Sequence, residues 1–436
     1  MNNTLKKIIA ALAILVAVAL IVVPGVIGAS IESSTASNLT KLVPTQILEQ
    51  ITIEQTNFDS SWFSSTARFE LAVNTIEQQD LTLMLDLKIS HGPLLFTSQG
   101  VRLGMAFADI SPNLDNIANI TLPLELPNFN FYLLAGFFQS LESGVSVGNI
   151  EYGEDTAHFL LEGMEASVAL AANQSADMRF EMGELEIEIS DDNVAMRIPG
   201  ISATSRTENF LNIAAISEAN IVIPSIIMDS PTPGRVGGVR IESHVAPSQT
   251  GINQLDIYQR LAVDSIESEF PFNSINWVFE VNEINSTIFE GYSQLLGDMQ
   301  SFAASNNAAD PSQLNQIGQE LALLLVQNSL EFKNLLEANI YDGNHQLDLS
   351  ISWQGLPDLT SFSELDINAL INALTVHVAL SLNESATMQS PLADFVTNYV
   401  NQGFLQIDNG SIELLASLQS GNLIVNDESL PIDQFF

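Results

Sequence analysis

The sequence predicts an α+β fold of mostly antiparallel β-sheet, with one helical hairpin and a C-terminal helix, behind one N-terminal transmembrane helix. Three observations predict it. Apolar and polar side chains alternate with period two over many short runs, apolar residues in 286–338 recur at helical spacing, and an unbroken apolar run extends from Ile8 to Ala29. Three segments follow: 1–29 as membrane anchor or signal segment, 30–236 as a first β-rich lobe and 237–436 as a second.

The run Ile8–Ala29 is long enough to cross a bilayer, which needs roughly 20 apolar residues. Lys6 and Lys7 precede it, so the positive-inside bias holds the N-terminus in the cytoplasm and exports the rest. A cleaved signal peptide is the alternative, since Pro24 can end a shorter apolar region and Ile27-Gly28-Ala29 offers small or aliphatic residues for cleavage. The expectation is a single-pass membrane attachment through residues 8–29 with the bulk of the chain exported. Residues 30–50 carry Leu39, Leu42, Val43 and Ile47 at helix-like spacing and read as a short stalk.

Strands follow. Phe69, Leu71 and Val73 share one face, and Leu81, Leu83, Leu85, Leu87 and Ile89 repeat the pattern, as half-buried antiparallel strands do. Pro112, Pro123 and Pro127 interrupt it, and the apolar segment Phe129–Leu141 reads as a buried helix or a flap. Strand patterns resume at His158–Leu170 and Arg179–Ile189, where the apolar phase shifts across Gly183 and suggests a bulge. Further strands are expected at Asn193–Ile198, Ile213–Ile227, Val239–Val245 and Leu255–Ile266. The loop Asp229-Ser230-Pro231-Thr232-Pro233-Gly234 is the strongest turn signal and a candidate lobe boundary.

The helical hairpin rests on two stripes. Ile288, Tyr292, Leu295, Met299 and Phe302 form the first; Asp310 caps a second helix with Pro311 at its first position and Leu314, Ile317, Leu321 and Leu324 on its apolar face. Strands at Leu347–Trp353 and Val376–Leu382 come next. Ser390-Pro391 opens a helix that Gly403 can stop, and the chain closes in a hairpin turning at Ser420-Gly421-Asn422.

Composition excludes whole classes of function. With 52 acidic against 13 basic residues the net charge is −39, and such a field repels nucleic acid and anionic lipid head groups, whose binding needs Lys and Arg on phosphates. No cysteine is present, so neither a disulfide framework nor a thiolate metal site exists. The acidity reads as a solvated surface suited to a salty medium.

Candidate sites are few. His91 falls on the apolar phase of its strand before Gly92-Pro93 and reads as a buried, hydrogen-bonded structural histidine, against a catalytic base or ligand. The other histidines, His158, His244, His345 and His377, have no zinc-site spacing. Glu184, Glu186 and Glu188 run into Asp191-Asp192, and the solvated face of a sheet explains them better than a calcium site, because no Asp-x-Asp-x-Asp-Gly loop is present. Nucleophile elbow and phosphate loop are both lacking. No catalytic residue, metal or cofactor is therefore assigned.

Four stretches carry a family resemblance: Trp62-Phe63-Ser64-Ser65; His91-Gly92-Pro93; the segment 286–338 with the strand ending near Trp353; and Leu415–Asn426, with Gly421 in its turn. In this order the chain resembles the YdgA-like (YdgA/YihF) family of bacterial envelope proteins, a domain of unknown function. The last strand ends in Asn426-Asp427 where the family usually has Asn-Gly. The resemblance implies an inner-membrane-anchored periplasmic protein without known catalytic residues. Two functions are expected: a non-enzymatic envelope or assembly factor working through a protein partner, or a carrier of lipid or another apolar ligand, with long amphipathic strands and residues 129–141 forming a groove.

Overall fold

Alternating side chains become strands along most of the described residues. The computed structural model describes residues 51–60, 64–73, 81–91, 94–98, 100–113, 128–154, 156–189, 194–210, 215–230, 233–249, 251, 253–268, 271–288, 291, 318–319, 322–361 and 366–430. The fold is mostly antiparallel β-sheet, with 67% strand and 13% helix, which corrects the expected α+β class. Two segments, one read as a buried helix or a flap and one as part of a helical hairpin, account for part of the difference. Phe129–Ala135 is a strand, and so is Leu330–Ile340 at the end of the expected helical hairpin. In the second, Leu330, Phe332, Leu336 and Ala338 keep a period of two, but Asn334 on that face and Leu335 on the other blur it. The rest of the hairpin lies largely outside the described residues; 286–288 and 322–327 are helical.

The transmembrane expectation is corrected as well. Among the described residues no helix is long and apolar enough to cross a membrane, and the run Ile8–Ala29 and the stalk 30–50 lie outside them. Inner-membrane attachment through residues 8–29, and the single-pass periplasmic location built on it, lose their support accordingly.

The chain divides into two compact units, 1–187 and 188–436. The first contains β1 (Ile51–Ser60), β2 (Ser64–Val73), β3 (Leu81–His91), β4 (Leu94–Thr97), β5 (Gly100–Leu103), β6 (Ala106–Asn113), β7 (Phe129–Ala135) and β8 (Leu141–Val147). It continues with β9 (Ile150–Glu154), β10 (Ala157–Leu161), β11 (Met164–Leu170) and β12 (Ala176–Met182). Strand order in its main sheet is β1-β2-β3-β6-β7-β8-β11-β12, antiparallel throughout. One face packs Phe131, Val145, Val147, Ile150 and Leu161. On the other, the separate hairpin β4–β5 covers Phe107 and Tyr132, whose rings stack at 5.7 Å, and drives Leu95 to full burial. Gly144 makes room for this: a Cβ there would sit 2.4 Å from the Tyr132 ring.

The expected bulge at Gly183 is a break between strands, with β13 (Leu185–Ile189) beginning two residues on. Gly183 N–H donates to Gly163 O, so close that a Cβ on Gly183 would meet Glu162 O at 2.3 Å.

The second unit adds β14 (Val194–Ile198), β15 (Ile201–Thr207), β16 (Ser217–Asp229), β17 (Gly234–Pro247), β18 (Gln254–Glu267), β19 (Phe272–Asn285), β20 (Leu330–Ile340), β21 (Gly343–Trp353) and β22 (Leu374–Asn383). After it come β23 (Gln406–Asp408), β24 (Ser411–Gln419), β25 (Asn422–Val425) and β26 (Glu428–Leu430). Here β16 to β22 pair in chain order, followed by β24, β25 and β26, all antiparallel. Asp229 and Gly234 of the expected turn are the end of β16 and the start of β17, which pair with Met228 opposite Gly234. Within the described residues 366–430 the chain adds the short helices α1 (Ile367–Ala373), α2 (Glu384–Gln389) and α3 (Ala393–Asn401). Asp366 and Asn383 cap the first two by accepting from Asn368 N and Ala386 N. Val396 of α3 packs with Leu405 and Ile412, and Gly403 at φ +82 lets the chain turn back.

Candidate functional site

The register of the second unit decides which side chains share a face. Ile221 pairs Ile241, Ile241 pairs Leu261, Leu261 pairs Trp277, Trp277 pairs Leu336, Leu336 pairs Leu347, Leu347 pairs Leu380, and Leu380 pairs Leu414. Every position in this row is a large apolar residue, across eight consecutive strands. At about 4.8 Å between strands the row is roughly 34 Å long. Two residues along each strand the next row mixes Ser243, Gln259, Phe279, Asn334, Leu349 and Val378, and four residues along a second apolar row carries Val245, Ile257, Val281, Phe332, Ile351 and Val376. Phe279 and Phe332 meet edge to face there at 5.2 Å.

A sheet face closed by a second layer buries its central side chains. None of the eight is buried: Ile241 and Trp277 are 40% and 42% exposed, and the other six are half-buried. Full burial on this face is confined to its margins, at Val245 and Leu255 and beneath α3 at Ile412.

The opposite face is polar and satisfied. Arg240 forks onto Asp264 with bonds of 2.8 and 2.6 Å, and that hydrogen bond raises the guanidinium above its ordinary pKa. Arg260 donates to Asn276, which donates to Glu337. The strand backbones spend their hydrogen bonds on the ladders. On the apolar face the polar groups beside the row are few: Trp277 Nε1 donates to Asn334 Oδ1 at 3.1 Å, and Gln259 stands exposed in the next row.

The residues singled out from sequence fall elsewhere. His91 is half-buried rather than buried, and its Nε2 lies 3.1 Å from the Oγ of buried Ser65, so two of the motif stretches meet on the apolar face of the first unit. Among the described residues the His91 ring contacts no carboxylate. His158 lies 3.6 Å from Glu151, His345 contacts Ile340 O, and His244 and His377 are exposed. Ser64 begins β2 opposite Ser90, while Trp62, Phe63, Gly92 and Pro93 lie outside the described residues. Gly421 takes φ +76 in the closing turn. Asn426, at φ 48, accepts from Leu415 N and donates to Phe404 O, and so pins the last hairpin. Glu184 and Glu186 are half-buried and Glu188 is exposed, with Asp191 and Asp192 outside the described residues. Among the described residues no group of three or more acidic or histidine side chains could hold a metal.

Trp277, at the centre of the apolar row, belongs to no motif and no segment predicted from sequence. The alternation Ile275, Trp277, Phe279, Val281 is the signal that marks its strand.

A family model described as a bacterial protein of unknown function (DUF945) matches residues 5–433. No curated protein matches the chain. No solved structure matches it either.

Proposed function

We propose, for a chain that belongs to the DUF945 family of bacterial proteins of unknown function, that it is a non-catalytic binder of long-chain lipids, which lie along the apolar row of the second unit. The observation that carries this is the row itself, eight large apolar side chains from Ile221 to Leu414 with none buried. An acyl chain suits it better than a peptide. The ladders use the backbone groups of these strands, so a peptide laid across them would leave its own N–H and C=O groups unmatched, at a cost an alkyl chain does not incur. Length fits too: a leaflet is half of the roughly 30 Å hydrocarbon core, and the row is about twice that. Gln259, exposed beside the row, can donate to a polar head group.

The narrower likeness to the YdgA-like group rests on the motif stretches alone, and in the structure Ser65, His91, Gly421 and Asn426 of those stretches hold strands and turns together. The test is titration of delipidated full-length protein with a fluorescent fatty acid, paired with mass spectrometry of solvent extracts of the protein as purified. Saturable binding and co-extracted acyl chains are expected. A chain that carries no lipid and takes up none would end the proposal.

A further inference from the structure

The outer face of the β4–β5 hairpin is a second uncovered surface, in the first unit. Register places Leu94 opposite Leu103 and Phe96 opposite Val101, while Leu95 and Arg102 point the other way. The inner pair is engaged: Leu95 is fully buried, and Arg102 lies 3.6 Å from Glu142. The outer four are 49%, 68%, 73% and 62% exposed. Met105 N–H donates to Ala135 O, which brings the turn holding Phe137 and Phe138 beside the hairpin's end. Phe138, at φ 60, is 92% exposed.

We propose that this patch is the interface of a twofold-symmetric dimer, its occupant a second copy of the same hairpin face. Charge is the first reason. The chain averages more than one acidic residue in nine, yet the 22 residues from Leu87 to Ala108 contain no Asp or Glu, and neither do the 16 from Leu126 to Leu141. Two copies carrying −39 each repel almost everywhere else, so a surface built from acid-free segments, with Glu142 beside Arg102 on its inner side and Asp109 bonded by Ser98, is where they can meet. Area is the second. At about 150–250 Å² for a fully exposed aromatic and somewhat less for Leu or Val, the six side chains present on the order of 600 Å². With a polar rim that reaches the roughly 800 Å² per partner of a stable interface, and it stands at the upper end of the roughly 300–600 Å² that monomers leave open. Composition is the third, because interface cores are depleted in charge and enriched in aromatic residues, and three of these six are Phe. A face that meets its own copy about a twofold axis is self-complementary by symmetry.

The native chain has no cysteine, so one introduced thiol reports one position. Val101→Cys in the full chain, treated with a short bis-maleimide, is expected to give a covalent dimer, while Leu415→Cys, 58% exposed in the second unit, gives none. Sedimentation velocity should show reversible dimers that tighten as salt rises, because added ions screen the repulsion. In Phe96→Ser/Leu103→Ser the dimer dissociation constant should rise at least tenfold with an unchanged far-ultraviolet spectrum. Three results would overturn the dimer: a monomer at all accessible concentrations; association or Val101→Cys cross-linking that ignores the double variant, as contact through Ile8–Ala29 would; or a monomer whose fluorophore-labelled Phe138→Cys responds only to phosphatidylcholine vesicles, which would make a bilayer the occupant.

Discussion

Trp277→Ser tests the apolar row at its centre. The side chain is 42% exposed, so a bound acyl chain covers at most that share of an indole surface of about 250 Å², or roughly 100 Å². At about 25 cal/mol per Å² the covered surface is worth up to ~2.5 kcal/mol, close to a 70-fold change in Kd. Ordering of the ligand and imperfect contact reduce this, so about a tenfold weakening is the expected result. Because Trp277 is not in a closed core, its truncation should leave the fold intact, and the Asn334 amide it bonds can turn to water. The assay is titration of a fluorescent fatty acid into the delipidated protein, read alongside thermal unfolding. Leu415→Ser is the control: it removes 58%-exposed apolar surface from the opposite face of β24 and should leave Kd unchanged. Equal affinities for Trp277→Ser and the unmodified chain, or a loss confined to Leu415→Ser, would refute the assignment of the ligand to this row.

Other substitutions check the packing. Gly343→Ala puts a Cβ 2.3 Å from that of Ala386, and overpacking of this kind should cost about 1–3 kcal/mol, read as a lower Tm. Asn426→Ala removes two hydrogen bonds and strains a positive φ, for about 1–2 kcal/mol by denaturant titration; Asn426→Gly should recover the backbone part alone. Ser65→Ala should lower stability by about 1 kcal/mol through the His91 contact while fatty-acid Kd stays as it was. Ile412→Val, at a side chain with no exposure under α3, should cost about 0.5–1.5 kcal/mol.

Much of the β-structure was legible in the sequence, because a strand with one apolar face writes a period of two. Leu347, Leu349, Ile351 and Trp353 alternate in sequence and in β21, and the turn at Ser420-Gly421-Asn422 falls between β24 and β25. Where polar residues enter the apolar face, the period fails. Asn334 and Leu335 exchange expected places in β20, so a strand reads as helix, and in β7 apolar residues occupy both faces because each has its own cluster to fill. Residues on either side of a sheet with two covered faces carry no alternation to detect.

The candidate site was less legible, for a different reason. His91 and Ser65 stand 26 positions apart, and only the β2–β3 register, Ser65 opposite Ile89, brings the hydroxyl to the ring. The apolar row is a stronger case: its eight residues come from eight strands, one from each, and no local window of sequence contains more than a fraction of it. Register is a property of paired strands, set by turns and bulges such as the irregularity between Leu255 and Ile257.

Photo-crosslinking asks most directly whether a lipid lies on that row. Full-length protein is loaded with a fatty acid bearing a diazirine in its tail, irradiated and digested, and the adducts are mapped by mass spectrometry. Adducts concentrated at Ile241, Leu261, Trp277, Leu336 and Leu347 are predicted, with few on Arg260, Asn276 or Glu337 of the opposite face. Adducts shared evenly between the two faces, or confined to the first unit, would contradict it.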